Sequence, residues 1–273
     1  MREYFWEDKI YYRTNEFRSE KITLVFVHGV SGSSSAWLPY EKIFNDKYQN
    51  KYNILTYDIR GHGMSKKYPN YADYEIEKFA EDLHALITHL NIEKFVLISN
   101  SFGALIHLLY LRLYRESVMA NIFTSPEIYL VKGLLEKILR PILALLRVVL
   151  KIIPFNPKPR GHVDYSRYLN STDWEIGRNW ADMKNTGFHP HFYSLKQSLV
   201  RGQEYLLDKI NVPTLIIHGE RDSMVPIENA IAISKKIKNS EFLMIENVDH
   251  NTVHNAVAEM SEAIESFLEK NLL

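Results

Sequence analysis

The chain contains no cysteine. That absence excludes a disulfide framework, thiolate zinc sites, iron–sulfur ligation and a thiol nucleophile together. An excess of charge is missing too: 33 Lys and Arg balance 33 Asp and Glu, so no global field draws the chain to nucleic acid. Met1 to Ile10 mix acids, bases and aromatics, without the apolar core of an export signal. A cytoplasmic, reducing compartment is therefore the expected location. No repeat of fixed period is visible. Hydrophobic residues make up 46% and charged residues 24% of the 273, which excludes disorder as the main state and suits one large domain or a core with an insertion.

Short apolar runs alternate with amphipathic stretches. Glu3 to Phe17 reads as a strand hairpin, and Ile22 to Val27 as a buried strand too brief for a helix. After it come a helix from Trp37 to Phe44, a strand from Tyr52 to Tyr57 and a helix over Glu75–Leu90. Lys94 to Ile98 reads as a strand, Phe102–Arg115 as a helix and Asn121 to Thr124 as a strand. The pattern resumes with strand Thr214 to Ile217, helix Glu228–Ile237, strand Glu241 to Ile245 and a closing helix Val253–Glu269. This alternation specifies an α/β fold, a mainly parallel sheet with helices on both faces. Between Pro126 and Asp208 nothing reads as a buried parallel strand. The expected organisation is a core of residues 1–125 and 209–273 with a helical cap inserted at 126–208. The cleft between them is the expected binding site.

In such sheets ligands bind beyond the carboxyl ends of the strands. Four places there carry reactive side chains: His28-Gly29, Ser101, Asp222 and His250. Ser101 lies in Ser99-Asn100-Ser101-Phe102-Gly103, between a strand and a helix, where a tight turn lifts the side chain above the sheet and needs small flanking residues. The helix that follows points free amides at an arriving oxyanion. A lone serine in such a turn is usually a helix cap. Here Asp222 and His250 follow at the ends of later strands, and a serine hydroxyl needs such a base, held in one tautomer by an acid.

The chain resembles the α/β-hydrolase superfamily. The matching stretches are His28-Gly29-Val30-Ser31-Gly32, the run Asp58 to Ser65, the Ser101 turn, the run His218 to Pro226, and Asp249-His250. Within the superfamily it is similar to serine esterases and lipases typified by monoacylglycerol lipases. The resemblance implies the α/β-hydrolase fold, with Ser101 as nucleophile, His250 as general base and then acid, and Asp222 orienting His250. It also places the oxyanion-hole amides on Val30 and Phe102. The expected reaction is cleavage of a small-molecule ester with an apolar acyl part, through an acyl-enzyme and without a cofactor. Two departures stand out: Ser99 occupies a position where glycine is usual, and Asn100-Ser101-Phe102-Gly103 also resembles carbon–carbon bond hydrolases. Carbon–carbon or amide cleavage, or a non-catalytic binding role, are the alternatives.

Other residues have competing readings. Glu220 is close enough to Asp222 to compete as the acid, and the motif match favours Asp222. Asp249 is expected to be a loop-bonding group, since neighbouring side chains on an extended segment point apart. His28 and the Arg60–His62 loop read as structural, and the latter lacks the third glycine of a dinucleotide fingerprint. His250 with His254, or His189 with His191, have metal-compatible spacing but no carboxylate in a ligand pattern, so no metal is expected. His84, His89 and His107 fall on predicted helices as ordinary surface or core histidines.

Between Lys132 and Arg160 seven basic residues face one acid, Glu136, amid thirteen leucines, isoleucines and valines. Charges interrupt the stretch and Pro141 is expected to break the helix, so a membrane span is not expected. Two readings remain: the apolar residues pack on the core and line an acyl pocket, or they form a basic amphipathic surface resting on anionic lipid.

Overall fold

The computed structural model describes residues 1–114, 117–128, 134–158, 161–200 and 202–272. Eight strands form one sheet: β1 (Arg2–Trp6), β2 (Ile10–Thr14), β3 (Ile22–Val27), β4 (Tyr52–Tyr57), β5 (Phe95–Asn100), β6 (Val118–Thr124), β7 (Thr214–Gly219) and β8 (Ser240–Ile245). Their spatial order is β1-β2-β4-β3-β5-β6-β7-β8. The β1–β2 hairpin joins β4 antiparallel and the other neighbours are parallel, as the α/β reading requires.

The central strands are apolar on both faces because both faces are covered. Leu24 and Phe26 of β3 pack on one side with α1 (Leu38–Tyr48) and α9 (Val257–Leu272), through residues such as Phe44, Met260 and Phe267. Val25 and Val27 pack on the other with α2 (Ile76–His89) and α3 (Gly103–Tyr114). Helix α2 shows how one face is selected: Ile76, Phe79, Ala80, Leu83, Leu86 and Ile87 are its buried residues, at the spacing of one helical stripe. The first eight residues of α3 are all buried, as suits a helix pressed on by neighbours all round. Helix α7 (Ile227–Lys236) closes a third cluster, burying Ala230 and Ile233 against Phe123 and Ile216.

From β3 the chain passes to β4 on one side, then returns to place β5 on the other. The strand order therefore reverses between β3 and β5, and a crevice opens beyond their carboxyl ends. His28 and Ser101 stand at that point.

Among the described residues no strand lies between β6 and β7; the interval holds α4 (Leu134–Leu150), α5 (Ile176–Thr186) and α6 (Phe188–Val200). Two expectations change here. Helix α4 runs through Pro141 instead of breaking at it. The proline withholds one amide from the ladder, while Leu143 and Leu150 on the far side of it are buried and α4 packs on α6. The closing helix is two helices, α8 (Thr252–Asn255) and α9, separated by Ala256 at φ −133°. Asn255 explains the break, since its side chain is committed to Asn170 N–H, to the Ser171 carbonyl and to Asp249.

Candidate active site

Strand β5 ends at Asn100 and α3 starts at Gly103, so Ser101 and Phe102 alone make the turn. Ser101 is held at φ +48°. That left-handed conformation costs a side-chain-bearing residue about 1–2 kcal/mol. Tight surroundings enforce it. Ser101 N–H donates to the Thr124 carbonyl at 3.0 Å, and Ala104 N–H donates to the Ser101 carbonyl at 2.9 Å. A Cβ on Gly103 would sit 2.8 Å from the Val27 carbonyl oxygen and 2.9 Å from that of His28, so α3 starts against bare backbone.

Ser99 is accommodated by a buried relay beneath the turn. Its hydroxyl lies 2.8 Å from Nδ1 of His107, whose Nε2 lies 2.8 Å from Oδ1 of Asn121. Burial pushes His107 down to about 3, so the ring is neutral, donating from Nε2 and accepting the Ser99 hydroxyl. His107 is therefore a support of the turn.

Above the sheet the three distant residues meet. Ser101 Oγ is 2.9 Å from His250 Nε2, and His250 Nδ1 is 2.7 Å from Asp222 Oδ2. The other Asp222 oxygen accepts the N–H groups of Met224 at 2.9 Å and Val225 at 2.8 Å. Burial raises the Asp222 pKa, but the His250 bond and charge, the Val225 amide and His218 outweigh it and hold the carboxyl below its ordinary range. Burial lowers the His250 pKa, yet its bond to Asp222, the Asp222 charge and the carboxyls of Glu127 and Asp173 raise it above the ordinary 6.5. The loops bearing Asp222 and His250 touch backbone to backbone: a Cβ on Gly219 would collide with the carbonyl oxygens of Val248 and Asp249. Glu220 turns elsewhere, accepting Asn247 N–H at 2.9 Å, and Asp249 bonds Asn251 and Asn255 within its own loop.

Val30 lies half-buried on the cavity wall, while the Phe102 side chain is buried against Phe79 and does not line the cavity. His28 donates from Nδ1 to the Gly29 carbonyl at 2.8 Å and accepts Ile59 N–H on Nε2 at 3.1 Å. Burial pushes it down to about 4, and both nitrogens are occupied in shaping the loop. Arg60 is paired with Asp82, with one bond at 2.6 Å, and His62 bonds the Arg60 carbonyl. Asp58, fully buried, gathers Ser34 N–H, Met64 N–H and His162 Nε2 at 2.7, 2.7 and 2.8 Å. Burial raises its pKa, but His162 outweighs that and holds it at about 2. The remaining histidine pairs do not converge on a common point: His254 stacks on Tyr165, His189 bonds the Leu150 carbonyl and His191 bonds the Ser31 hydroxyl. His84 and His89 stack on Tyr114 and Trp6.

A cavity of about 640 Å³ opens over Ser101 and His250. Its apolar wall includes Ile176, Met183, Leu195, Leu199 and Val253, with Trp174 and Trp180 more than half exposed. Two carboxyls on this wall escaped the sequence reading, Glu127 and Asp173. Glu127 follows β6, and burial raises its pKa against the lowering pull of His250 and Ser198. Asp173 is buried and bonds the backbones of both His250 and Ser223. No local motif marks either residue; a strand-end rule applied to β6 would have reached Glu127 alone.

Residues 22–256 match the family described as alpha/beta hydrolase fold. The chain belongs to that family. This α/β hydrolase is 24% identical over 282 residues to a proline iminopeptidase of Lactobacillus helveticus, covering 96% of this chain and 94% of the relative. Among solved structures it is similar to a bromoperoxidase from Bacillus anthracis, at 22% identity, a TM-score of 0.73 and 95% of each chain. An esterase from Exiguobacterium antarcticum matches at 19% identity, also with a TM-score of 0.73 and 95% of each chain. At these identities the structural likeness is one of fold.

The close approach at Gly103 gives a direct check. Gly103→Ala should destabilise the protein by about 1–3 kcal/mol in urea unfolding, because the carbonyls it meets belong to the rigid end of β3. A change within about 0.5 kcal/mol would contradict that contact.

Proposed function

We propose that this α/β hydrolase is a serine hydrolase cleaving carboxylic esters with an apolar acyl part, monoacylglycerol-like or similar. The observation that carries the reading is the unbroken line from Ser101 Oγ through His250 to Asp222 at the floor of the cavity. In it Ser101 Oγ attacks the ester carbonyl while its proton passes to His250 Nε2. The alcohol leaves with that proton, and a water deprotonated by His250 then releases the acid. Asp222 holds the imidazole with Nε2 free to accept. The N–H groups of Val30 and Phe102 are assigned to the developing oxyanion, each worth about 3 kcal/mol. Residues 126–208 are assigned as a cap whose apolar side chains receive the acyl part. No step calls for a cofactor.

Ser101→Ala should abolish turnover of p-nitrophenyl esters and labelling by a fluorophosphonate probe while leaving the thermal unfolding curve in place. Undiminished turnover or labelling in that variant would reject the assignment, and an unlabelled wild type would favour a binding role.

Only neutral His250 can accept the proton, and its pKa lies above the ordinary 6.5. The kcat/KM of the wild type should therefore climb with pH through an acid limb centred above 6.5. A profile already flat at about pH 6 would contradict this.

A second reading, cleavage of an amide next to a free amino terminus, is favoured by the Glu127 carboxyl on the cavity wall and by the name of the Lactobacillus relative. Proline p-nitroanilide assayed beside the esters separates the two.

The surface of α4 supports a lipid partner. Ile138, Ile142, Leu145, Val149 and Ile152 recur at intervals of four and three and are 49, 53, 66, 39 and 80% exposed. Leu146, Leu150 and Ile153 pack into the core, while none of the described residues of α4 lines the cavity. Lys137 and Lys151 are exposed along it; Lys132 and Arg160 lie outside the described residues, and the side chains of Arg140 and Arg147 are not described either. Among the described residues no helix is long and apolar enough to cross a membrane. We assign this stripe to the surface of an anionic bilayer, with the apolar residues in the headgroup–acyl boundary and the lysines at the phosphates. The protein should float with phosphatidylglycerol vesicles, and Leu145→Asp with Val149→Asp should abolish that without loss of ester turnover in solution. Wild type that stays at the bottom of the gradient, or flotation unchanged in the variant, would overturn the assignment.

A further inference from the structure

Asp173 lies between β6 and β7, far along the chain from both acid and base, yet its carboxyl is shared between the loops that carry them. Oδ1 accepts His250 N–H at 2.8 Å and Asn251 Nδ2 at 3.2 Å; Oδ2 accepts Ser223 N–H at 2.9 Å and the Ser223 hydroxyl at 2.7 Å. The residue is 3% exposed. Its own carbonyl accepts Arg178 Nη2 at 3.2 Å and Asn179 Nδ2 at 3.0 Å, so α5 fixes it from the other side. The same segment is pinned twice more, by Asn170 N–H donating to Asn255 Oδ1 at 2.9 Å and by Asn255 Nδ2 donating to the Ser171 carbonyl at 3.0 Å. The next residue, Trp174, is 67% exposed on the cavity wall.

We propose that Asp173 is a positioning residue that couples the segment over the cavity to the alignment of His250 with Ser101 and Asp222. The proposal rests on the serine-hydrolase reading. Ser223 follows Asp222 directly, so one carboxyl sets the backbone of the base and the turn of its acid against each other. Removing or unseating that carboxyl frees both loops at once. Substrate pressing on Trp174 is one residue from this clamp, so seating of the segment and alignment of the base are a single event. The charge matters as well. The titratable groups facing His250 are Asp222, Glu127, Asp173 and His218; the three carboxyls favour the imidazolium, and His218 opposes it.

The test compares wild type with Asp173→Asn, which keeps the size and one acceptor oxygen but loses the charge. With active sites counted from the p-nitrophenolate burst, kcat per site should fall about a hundredfold, the scale of a misplaced catalytic group, while KM changes less than about twofold. The His250 imidazole, followed by NMR, should titrate at lower pH in the variant. A purely structural role would lower the melting temperature and the number of active sites while leaving kcat per site and the His250 titration unmoved, and that result overturns the proposal. Should Asp173→Asn fail to fold, Ser223→Ala removes one donor from the clamp. It should lower kcat per site about tenfold, and an unchanged value again overturns the idea. A wild type that neither turns over esters nor takes the fluorophosphonate strikes the function reading instead. The His250 titration still decides the role of Asp173, because it needs no substrate.

Discussion

A serine at φ +48° is the constraint around which this molecule is arranged. Left to itself the residue would relax into extended or helical backbone, and its hydroxyl would sink from the crevice toward the sheet. What prevents this is close packing on every side: the Thr124 carbonyl takes the Ser101 amide, and β3 presses against the first residue of α3. Beneath lies the Ser99–His107–Asn121 relay, buried and neutral. Strain of this kind persists only where the surroundings over-determine it. Here they are the buried backbone of β3, β6 and the start of α3.

A second centre of order is Asp58. A fully buried carboxyl at the end of β4 draws in amides from two loops and a histidine from the stretch between β6 and β7. Each bond satisfies the charge, and the charge in turn fixes three chain segments round one point. Since its folded pKa is about 2, below the ordinary carboxylate value, the stability it lends is present above the ordinary pKa and lost as pH falls toward 2. Asp58 and Asp173 thus join the helical segment to the sheet from opposite ends, one under the loop beside His28 and one under the loop of His250.

The centre of the sheet was legible because β3 to β7 are buried on both faces, so each appears as a short, mainly apolar run too brief for a helix. The convergence of Ser101, Asp222 and His250 was legible for a related reason: strand ends are marked in the sequence, and parallel strands bring their ends to one edge. Where expectation and structure part, the deciding force acts between distant residues. Proline at 141 reads locally as a break, but the packing of Leu143 and Leu150 carries α4 past it. Ala256 reads locally as helix, but the commitments of Asn255 interrupt it. Asp173 in Thr172-Asp173-Trp174 reads as an ordinary turn residue. Its four acceptor contacts come from residues about fifty and eighty positions later, and no local pattern carries that information.

The contact at Gly219 also limits how such a machine can vary. Because the Gly219 backbone meets the Val248 and Asp249 carbonyls with no room for even a methyl group, the approach of the two loops is set by backbone dimensions, and the Asp173 carboxyl holds them in register. Substitutions on the chamber wall away from Gly219 and the Asp173 contacts can change its shape or polarity and leave that approach in place. A different gauge between the two loops would demand an inserted or deleted residue in one of the turns. The lining of the chamber can thus vary by point changes, whereas the approach of the two loops at Gly219 changes by remodelling their backbone.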